Sequence, residues 1–343
     1  MSEQKRKIFF ERDAAGLSNV RLQLESLLVI AALTDRQLVL PPPSSVHHLS
    51  KPYHEGDLWS LKDLCRHVDI ILQKDGAVPA TADHLRKPLA EVTFDAAGKP
   101  CVDSGLRASE NWYFPMGHSR IQHFECLKLA TAEQKKTAAR VVLESLELAK
   151  CHRIGAMKAL QHLKLAPGEY VAVHIRRGDF EAFRPDTQAS GKTLAATSQG
   201  LCSAGGLPLL LASDASPSDQ IFKDFASACH VPVKVTAQAY QEHDDDLSRA
   251  AMDMLACAWA QKFVGTPDST FSTSIMGLRA KANLRDASID AKPQYFLQGK
   301  ANLEETTGLC WSKPTTYAAL REDPLRQGVS VDSPAALSLG WAV

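Results

Sequence analysis

The chain has 343 residues, of which 45% are hydrophobic and 23% are charged, as is usual for a globular protein with a large core. Its formal net charge is zero, because 39 basic residues balance 39 acidic residues. The balance excludes a global basic field that would attract nucleic acid or an anionic membrane surface, so we expect neither as a partner. A chain of this length predicts two domains.

Three features predict the compartment. Residues 1–7 are polar and no apolar segment precedes Ile8, so no secretory signal is predicted. The longest apolar run, Leu27–Leu33, is too short to span a bilayer. The eight cysteines include no Cys-x-x-Cys pair, which argues against a zinc site and predicts reduced thiols. We therefore expect a cytoplasmic protein.

The first half of the chain alternates strand and helix patterns. Residues 7–11 predict a strand, leucines between 24 and 31 follow helical spacing, and Gln37–Leu40 predicts a second strand ended by three prolines. This order is typical of a Rossmann-like domain, which we place at residues 1–160. Helical patterns between 131 and 165 close it.

The first loop, residues 13–19, is a candidate ligand site, because the loops at the carboxyl ends of strands hold ligands in such folds. Gly16 and Asn19 are small or amide-bearing residues that allow close approach of a ligand. The alternative is an ordinary helix start with Ser18 or Asn19 as its cap.

The second half repeats the alternation. Apolar runs at 207–212, 233–236 and 263–265 predict strands, each followed by a helical pattern. They predict a second Rossmann-like domain over residues 161–300, with a tail, 301–343, that packs back on the first domain. Residues 184–206 are rich in small polar residues and predict a mobile loop.

The stretch Glu169–Phe180 joins a buried strand to a polar end. Its apolar pattern stops at His174, after which come Arg176, Arg177 and Asp179. Ligands of open α/β sheets bind beyond the carboxyl ends of the strands. Guanidinium groups bind phosphate through paired hydrogen bonds, so the stretch predicts a phosphate site. The alternative is a strand end with a solvated Arg–Asp pair.

Two further stretches carry polar groups near helix starts. Ser269, Thr270 and Phe271 begin a helix, whose N-terminus attracts anions, although a plain Ser/Thr cap is the alternative. Asp253 lies among apolar neighbours on the preceding helix, where it either faces solvent or accepts a hydrogen bond from a ligand such as a base edge. The acids at 244–246 predict an interaction with a helix dipole rather than a metal site.

These stretches resemble the motifs of the protein O-fucosyltransferase family. Gly16-Leu-Ser-Asn19 matches the family's first-loop G-x-x-N, and the second strand ends in prolines as it does there. His174-Ile-Arg-Arg-Gly-Asp-Phe180 matches the central His-x-Arg-Arg-Gly-Asp-Phe motif. The third block of the family is matched by Asp253, Ala260–Gly265 and Ser269-Thr-Phe-Ser272.

The resemblance covers most of residues 8–280 and implies a GT-B fold, in which two Rossmann-like α/β domains face each other across a cleft. It implies an inverting transfer of fucose from GDP-fucose to a hydroxyl, with protein serine or threonine as the acceptor. No metal or other cofactor is expected. The implied catalytic residues are Arg176, at the β-phosphate of the leaving GDP, and Asn19, at the reacting groups.

The other implied donor contacts are spread over both domains. From the first domain they are Gly16, Leu17 and Ser18, together with Asn19. From the second domain they are His174 at the nucleotide, Asp253 at the guanine, and Ser269, Thr270 and Phe271 at the phosphates and sugar.

The chain departs from the family in its first loop, where some members carry a glutamate as candidate base and this chain has Gly16. Asp13 and Glu11 are the nearest carboxylates, and we expect neither to be essential. Two alternatives stay open. One is an α-1,6-type fucosyltransferase that acts on glycans, although Gly178-Asp179-Phe180 favours the protein-modifying enzymes over this type. The other is a catalytically silent module that binds a GDP-sugar.

Overall fold

The structure is a computed structural model. It describes residues 5–101, 104–108, 110–116, 128–129, 131–180, 191–192, 194–195, 198, 206–216, 218–241, 244–266, 269–285, 294–297 and 303–306. These divide into two units, one up to Lys150 and one from Cys151 onward. Within the described ranges, no helix combines the length and the apolar character that crossing a membrane requires.

The first unit contains a five-stranded parallel sheet in the order β3-β2-β1-β6-β4. Its elements are β1 (Lys7–Phe10), α1 (Leu17–Leu33), β2 (Gln37–Leu40), α2 (Glu55–Leu58), α3 (Leu61–Leu64), β3 (Ile70–Leu72), β4 (Asp83–His84), β5 (Thr93–Phe94), β6 (Trp112–Phe114), β7 (Lys128–Leu129) and α4 (Ala132–Ser145). Strands β5 and β7 pair separately.

The first two predicted strands are confirmed, since β1 and β2 lie at the centre of this sheet and are largely buried. Helices α2 and α3 are short and are separated at Trp59 and Ser60, because the chain is extended at both residues. Strand β6 was not expected from the sequence, yet it pairs with β1 along its whole length.

The second unit contains a six-stranded sheet in the order β10-β9-β8-β11-β12-β13, parallel except for its last pair. Its elements are α5 (Lys150–His162), β8 (Val171–Ile175), β9 (Leu209–Ser213), α6 (Gln220–Ala228), β10 (Val233–Val235), α7 (Asp246–Ala258), β11 (Lys262–Gly265), α8 (Thr270–Arg285), β12 (Gln294–Leu297) and β13 (Leu303–Thr306). Every residue of β8 is buried, as its apolar sequence predicts.

The predicted α/β class with parallel sheets is confirmed in both units. Residues 303–306 form a strand of the second sheet, whereas the remainder of the tail 301–343 lies outside the described residues. Most of the loop predicted at 184–206 also lies outside them. The cysteines that the structure describes are free thiols: Cys65, Cys101, Cys151, Cys229 and Cys257.

Candidate active site

A group of charged side chains in the second unit surrounds Arg176, the first residue after β8. Its Nη1 lies 2.7 Å from Asp214 Oδ2, and its Nη2 lies 2.6 Å from Asp179 Oδ1. Asp214 follows β9, the parallel neighbour of β8, and its Oδ1 accepts the Arg177 N–H at 2.7 Å. The Arg–Asp pair of the alternative interpretation is therefore present. With an Arg176 side chain only 17% exposed, it is not a solvated surface pair.

His174 points its ring at the start of α8. Its Nδ1 lies 2.8 Å from Ser272 Oγ, and its ring centroid lies 4.9 Å from that of Phe271. Burial, and then the positive charge of Arg176, lower the pKa of His174 to about 3. The imidazole is therefore neutral near pH 7, and because Ser272 engages Nδ1, only Nε2 is left to contact a ligand, without charge.

Thr266, directly after β11, ties the end of β8 to the start of α8. Its hydroxyl accepts the Arg176 N–H at 2.9 Å and donates to the His174 carbonyl at 2.9 Å. Its own N–H donates to Ser272 Oγ at 3.0 Å. Gly265 makes this approach possible, because a Cβ there would lie 2.9 Å from the Ser272 Cβ. All residues joined by these hydrogen bonds are buried or partly buried. The bonds therefore fix the backbone at Arg176 relative to the start of α8.

The predicted residues Ser269, Thr270 and Phe271 form the beginning of α8, which starts at Thr270. Ser269 Oγ accepts the Ser272 N–H at 3.4 Å, so the cap of the alternative interpretation is also present. Thr270 and Phe271 occupy the first turn and stay partly exposed. The turn combines hydroxyl groups with the positive end of a 16-residue helix, which suits an anionic group.

Asp253 lies on α7 and is partly buried. Its carboxylate accepts a hydrogen bond from the Tyr240 hydroxyl. Burial raises the pKa of Asp253 to about 7, and the negative charge of Asp214 adds to this, while hydrogen bonds from Tyr240 and Thr236 oppose it. A carboxyl group that changes its charge near neutral pH therefore belongs to the same unit as Arg176.

In the first unit, Gly16 occupies the cap position of α1, with φ −62° and ψ 160°. The alternative in which Ser18 or Asn19 caps the helix is wrong, because Gly16 holds that position and offers no side chain. Within the described part of the chain, the Ser18 hydroxyl and the Asn19 carboxamide oxygen are buried without a hydrogen-bond partner. Leu17 is buried beside them. The loop thus keeps two polar groups that a ligand could satisfy.

Arg12, just before this loop, is held by a complete set of acceptors. Its Nε and Nη2 donate to the two oxygens of Glu55 at 2.9 Å and 2.8 Å. Its remaining donors reach the carbonyls of Pro41 and Pro42 and the hydroxyl of Ser44. A buried guanidinium is stable only when its donors are satisfied in this way. Arg12 therefore fixes the entry of the loop against the proline run after β2.

The two carboxylates near the loop already serve local hydrogen bonds. Asp13 Oδ1 accepts the Ala15 N–H at 2.8 Å and closes a turn. Glu11 accepts the Tyr113 hydroxyl and the Met116 N–H, and these two bonds lower its pKa. Glu11 is therefore a weak proton acceptor, and the bonds of Asp13 hold the loop in shape.

The acids at 244–246 behave as the sequence indicates. Asp245 caps α7 by accepting the Ser248 N–H at 2.8 Å, and Asp246 lies in the first turn of that helix.

The predicted residues thus form two groups, each within its own unit. His174, Arg176, Asp253 and the start of α8 belong to the second unit, and residues 16–19 belong to the first. The sequence interpretation missed Asp214 and Thr266, although Thr266 directly follows a predicted strand and Asp214 comes two residues after another. Polar residues at that position share the carboxyl edge of a parallel sheet with Arg176, and this signal could have found them.

Comparisons with known proteins identify the family of the chain. A family model described as GDP-fucose protein O-fucosyltransferase matches residues 8–281. GDP-fucose protein O-fucosyltransferase 2 of Drosophila melanogaster is 32% identical over 163 residues, covering 46% of this chain and 33% of that protein. The chain thus matches about a third of the length of this relative.

Solved structures show a similar fold at low identity. POFUT1 in complex with GDP-fucose gives a TM-score of 0.55 at 15% identity, covering 81% of this chain and 95% of that chain. The α-1,6-fucosyltransferase NodZ soaked with GDP-fucose gives a TM-score of 0.52 at 13% identity, covering 89% and 99%. The fold is that of the GT-B fucosyltransferases.

Proposed function

Because the chain belongs to the GDP-fucose protein O-fucosyltransferase family, and with it to the glycosyltransferases, we propose that it transfers fucose from GDP-fucose to an acceptor hydroxyl. The acceptor is a serine or threonine of a protein. The hydroxyl attacks the anomeric carbon from the face opposite GDP, so the configuration inverts. The bond from that carbon to the β-phosphate oxygen breaks, and its electron pair stays on GDP. The proton of the acceptor hydroxyl passes to solvent as the new C–O bond forms.

The observation that carries this proposal is the placement of Arg176 beside the start of α8. Negative charge grows on the diphosphate as the glycosidic bond breaks, and fixed donors aimed at that charge lower the barrier. Asp179 and Asp214 hold the guanidinium plane before any ligand arrives. Thr266 fixes the Arg176 backbone against the same helix start. Arg176 is therefore the residue that we assign to the β-phosphate.

The remaining roles are those that the family resemblance implies, and the charges and hydrogen bonds of the residues support them. His174, neutral and held by Ser272, contacts the nucleotide. Asp253 accepts hydrogen bonds from the guanine edge, which presents two neighbouring N–H donors. Thr270 and Phe271, with Ser269 before them, face the phosphate and the sugar. In the first unit, Gly16 and Asn19, with Leu17 and Ser18 between them, hold the reacting groups.

We assign no metal to the reaction. In many nucleotide-sugar enzymes a divalent cation stabilises the leaving diphosphate, and here a guanidinium and a helix N-terminus can supply that positive field. The nearby carboxylates Asp179 and Asp214 are both engaged with Arg176. Asp245 is engaged as a helix cap. Turnover should therefore persist in EDTA, and loss on chelation that Mn²⁺ or Mg²⁺ restores would contradict this assignment.

The test of the proposed function is a transfer assay with the purified chain, GDP-fucose and a lysate of its source cells. Mass spectrometry should find proteins that gain a deoxyhexose on serine or threonine, and Arg176→Ala should abolish the gain. A deoxyhexose that leaves with enzymatically released glycans would instead indicate an α-1,6-type glycan transferase. Binding of GDP-fucose without any GDP release would indicate a catalytically silent module.

A further inference from the structure

Tyr240 is held against Asp253 from two directions. It follows β10 and the short 3₁₀ turn Thr236–Gln238, near the carboxyl edge of the second sheet. Its hydroxyl donates to Asp253 Oδ1 and lies 3.4 Å from the Arg249 carbonyl. The Arg249 guanidinium carbon lies 5.8 Å from the centroid of the Tyr240 ring. The ring therefore has a fixed position, with its proton directed to the carboxylate.

The protonation state of Asp253 determines which base it can recognise. An ionised carboxylate only accepts hydrogen bonds, and the guanine edge offers two adjacent donors, N1–H and N2–H. A protonated carboxyl group offers one donor and one acceptor. That pattern matches the N3–H and O4 edge of uracil as well as the N1–H and O6 edge of guanine, so only the ionised carboxylate, paired with N1–H and N2–H, distinguishes guanine from uracil.

We propose that Tyr240 is a positioning residue that sets nucleobase selectivity by holding the Asp253 carboxyl group as an acceptor. The inference rests on the proposed function, in which Asp253 binds guanine. Tyr240 acts through Asp253 and itself need not touch the nucleotide.

The surroundings of Asp253 leave its charge finely balanced. Burial and the negative charge of Asp214 raise its pKa, to about 7, against the hydrogen bonds of Tyr240 and Thr236. Cys257, one turn further along α7, interacts with Asp253 as well, but burial raises the pKa of its thiol, so that it stays neutral. The Tyr240 hydroxyl is likewise neutral, because burial raises its pKa well above the ordinary value. One donor can therefore decide whether Asp253 is charged at neutral pH.

The experiment measures dissociation constants of GDP and UDP from about pH 6 to about pH 8.5, for the wild type and for Tyr240→Phe. The phenylalanine ring keeps the contact with Arg249, so the variant should fold. Ratios between the two proteins at each pH cancel the titration of the nucleotide itself. Asp253→Asn supplies a reference with one donor and one acceptor at every pH.

We expect Tyr240→Phe to bind GDP about fivefold more weakly near pH 7 and to recover to within about twofold near pH 8.5, because losing a hydrogen bond to a charged group moves the midpoint up by about one pH unit. Its preference for GDP over UDP should fall and recover over the same interval. Asp253→Asn should show a low preference for GDP over UDP. Once the titration of the nucleotide itself is taken into account, this preference should not change with pH.

Controls separate this role from a purely structural one. Thr236→Val removes the other donor and should move the midpoint in the same direction. Tyr113→Phe removes the hydroxyl that donates to Glu11 in the first unit, and it should leave the midpoint of GDP binding unchanged. A loss of GDP affinity in Tyr240→Phe that is equal at every pH would overturn the inference. A wild type that binds GDP and UDP equally near pH 8.5 would instead overturn the guanine assignment of the proposed function.

Discussion

Arg176 and Asp214 form an ion pair across the ends of two adjacent parallel strands, with 2.7 Å between Nη1 and Oδ2. The register places Ile175 opposite Ser213, so the next residue of each strand comes into reach of the other. Asp179 holds the second terminal nitrogen of the guanidinium. A cation fixed at two points loses little freedom when a phosphate binds, which is the preorganisation that transition-state stabilisation needs.

Arg176→Ala should reduce turnover by about 10²–10³-fold or more, as removal of one preorganised donor does in other enzymes. Arg176→Lys should recover little, because an ammonium group cannot reproduce the planar fork of donors. The measurement is GDP release at saturating GDP-fucose, with thermal unfolding as the control for folding. Near-normal turnover in the alanine variant would transfer the role to Arg177.

Asn19 should matter more to transfer than Asp13. The Asn19 carboxamide oxygen is buried without a hydrogen-bond partner among the described residues, and the Asp13 carboxylate shapes the loop through the bond that its Oδ1 accepts from the Ala15 N–H. If bond breaking to GDP runs ahead of acceptor attack, the anomeric carbon becomes electrophilic and early deprotonation of the hydroxyl is less needed. Asp13→Asn should then keep activity within about tenfold, the low end of what a general base contributes.

Asn19→Ala should lose far more activity than Asp13→Asn while GDP affinity stays unchanged. Calorimetric GDP titration and transfer rates, measured on the same preparations, compare the two variants directly. If Asp13→Asn abolishes transfer while folding and GDP binding are intact, Asp13 is the base and the proposed role of Asn19 is wrong.

His174 and Asp253 should change stability with pH in opposite directions. The pKa of His174 is lowered from 6.5 to about 3, so as pH falls the unfolded chain binds a proton first and stability is lost. The pKa of Asp253 is raised from 3.8 to about 7, so its folded form resists ionisation and stability is lost as pH rises. Between about pH 4 and pH 6.5 the two groups change the free energy of unfolding in opposite directions, each by about 1.4 kcal/mol per pH unit.

Single substitutions should separate the two slopes. Relative to the wild type, His174→Gln should lose more stability as pH rises through this window, and Asp253→Asn should gain more. Urea unfolding at several pH values gives the free energy of unfolding for all three proteins. Parallel dependence on pH in the three would show that neither group has the shifted pKa assigned to it.

The central strands could be predicted from the sequence because they are apolar runs of four or five residues. Strand β6, Trp112–Phe114, could not, because three residues carry no period and its place beside β1 depends on pairing across about 100 positions. Strands β12 and β13 were also missed, since residues past 292 carry weak patterns. Long elements can be recognised from local sequence, whereas the position of a short strand is determined by the strands with which it pairs.

The site shows the same division. His174 and Arg176 could be predicted because polar residues that end an apolar strand are visible in the sequence. The partnership of Arg176 with Asp214 spans 38 positions and depends on which strands are neighbours. The link from Thr266 to Ser272 needs the close approach that Gly265 allows. Such contacts follow from sheet order and backbone geometry, which a linear pattern does not contain.

Gly178 should be more sensitive to alanine than Gly168, although both have positive φ, +42° and +79°. Each substitution forces an L side chain into the left-handed region and should cost roughly 1–2 kcal/mol of stability. At Gly168 the new Cβ meets nothing within 4 Å, whereas at Gly178 it would lie 2.5 Å from Asp214 Oδ2.

Because the Asp214 carboxylate can move, Gly178→Ala should fold, release Arg176 from Asp214, and lower turnover by more than about tenfold through misalignment. Gly168→Ala should keep turnover within about twofold at similar stability, since it leaves the site untouched. Equal turnover in the two variants, measured as GDP release after matching their thermal unfolding, would show that Asp214 does not align Arg176.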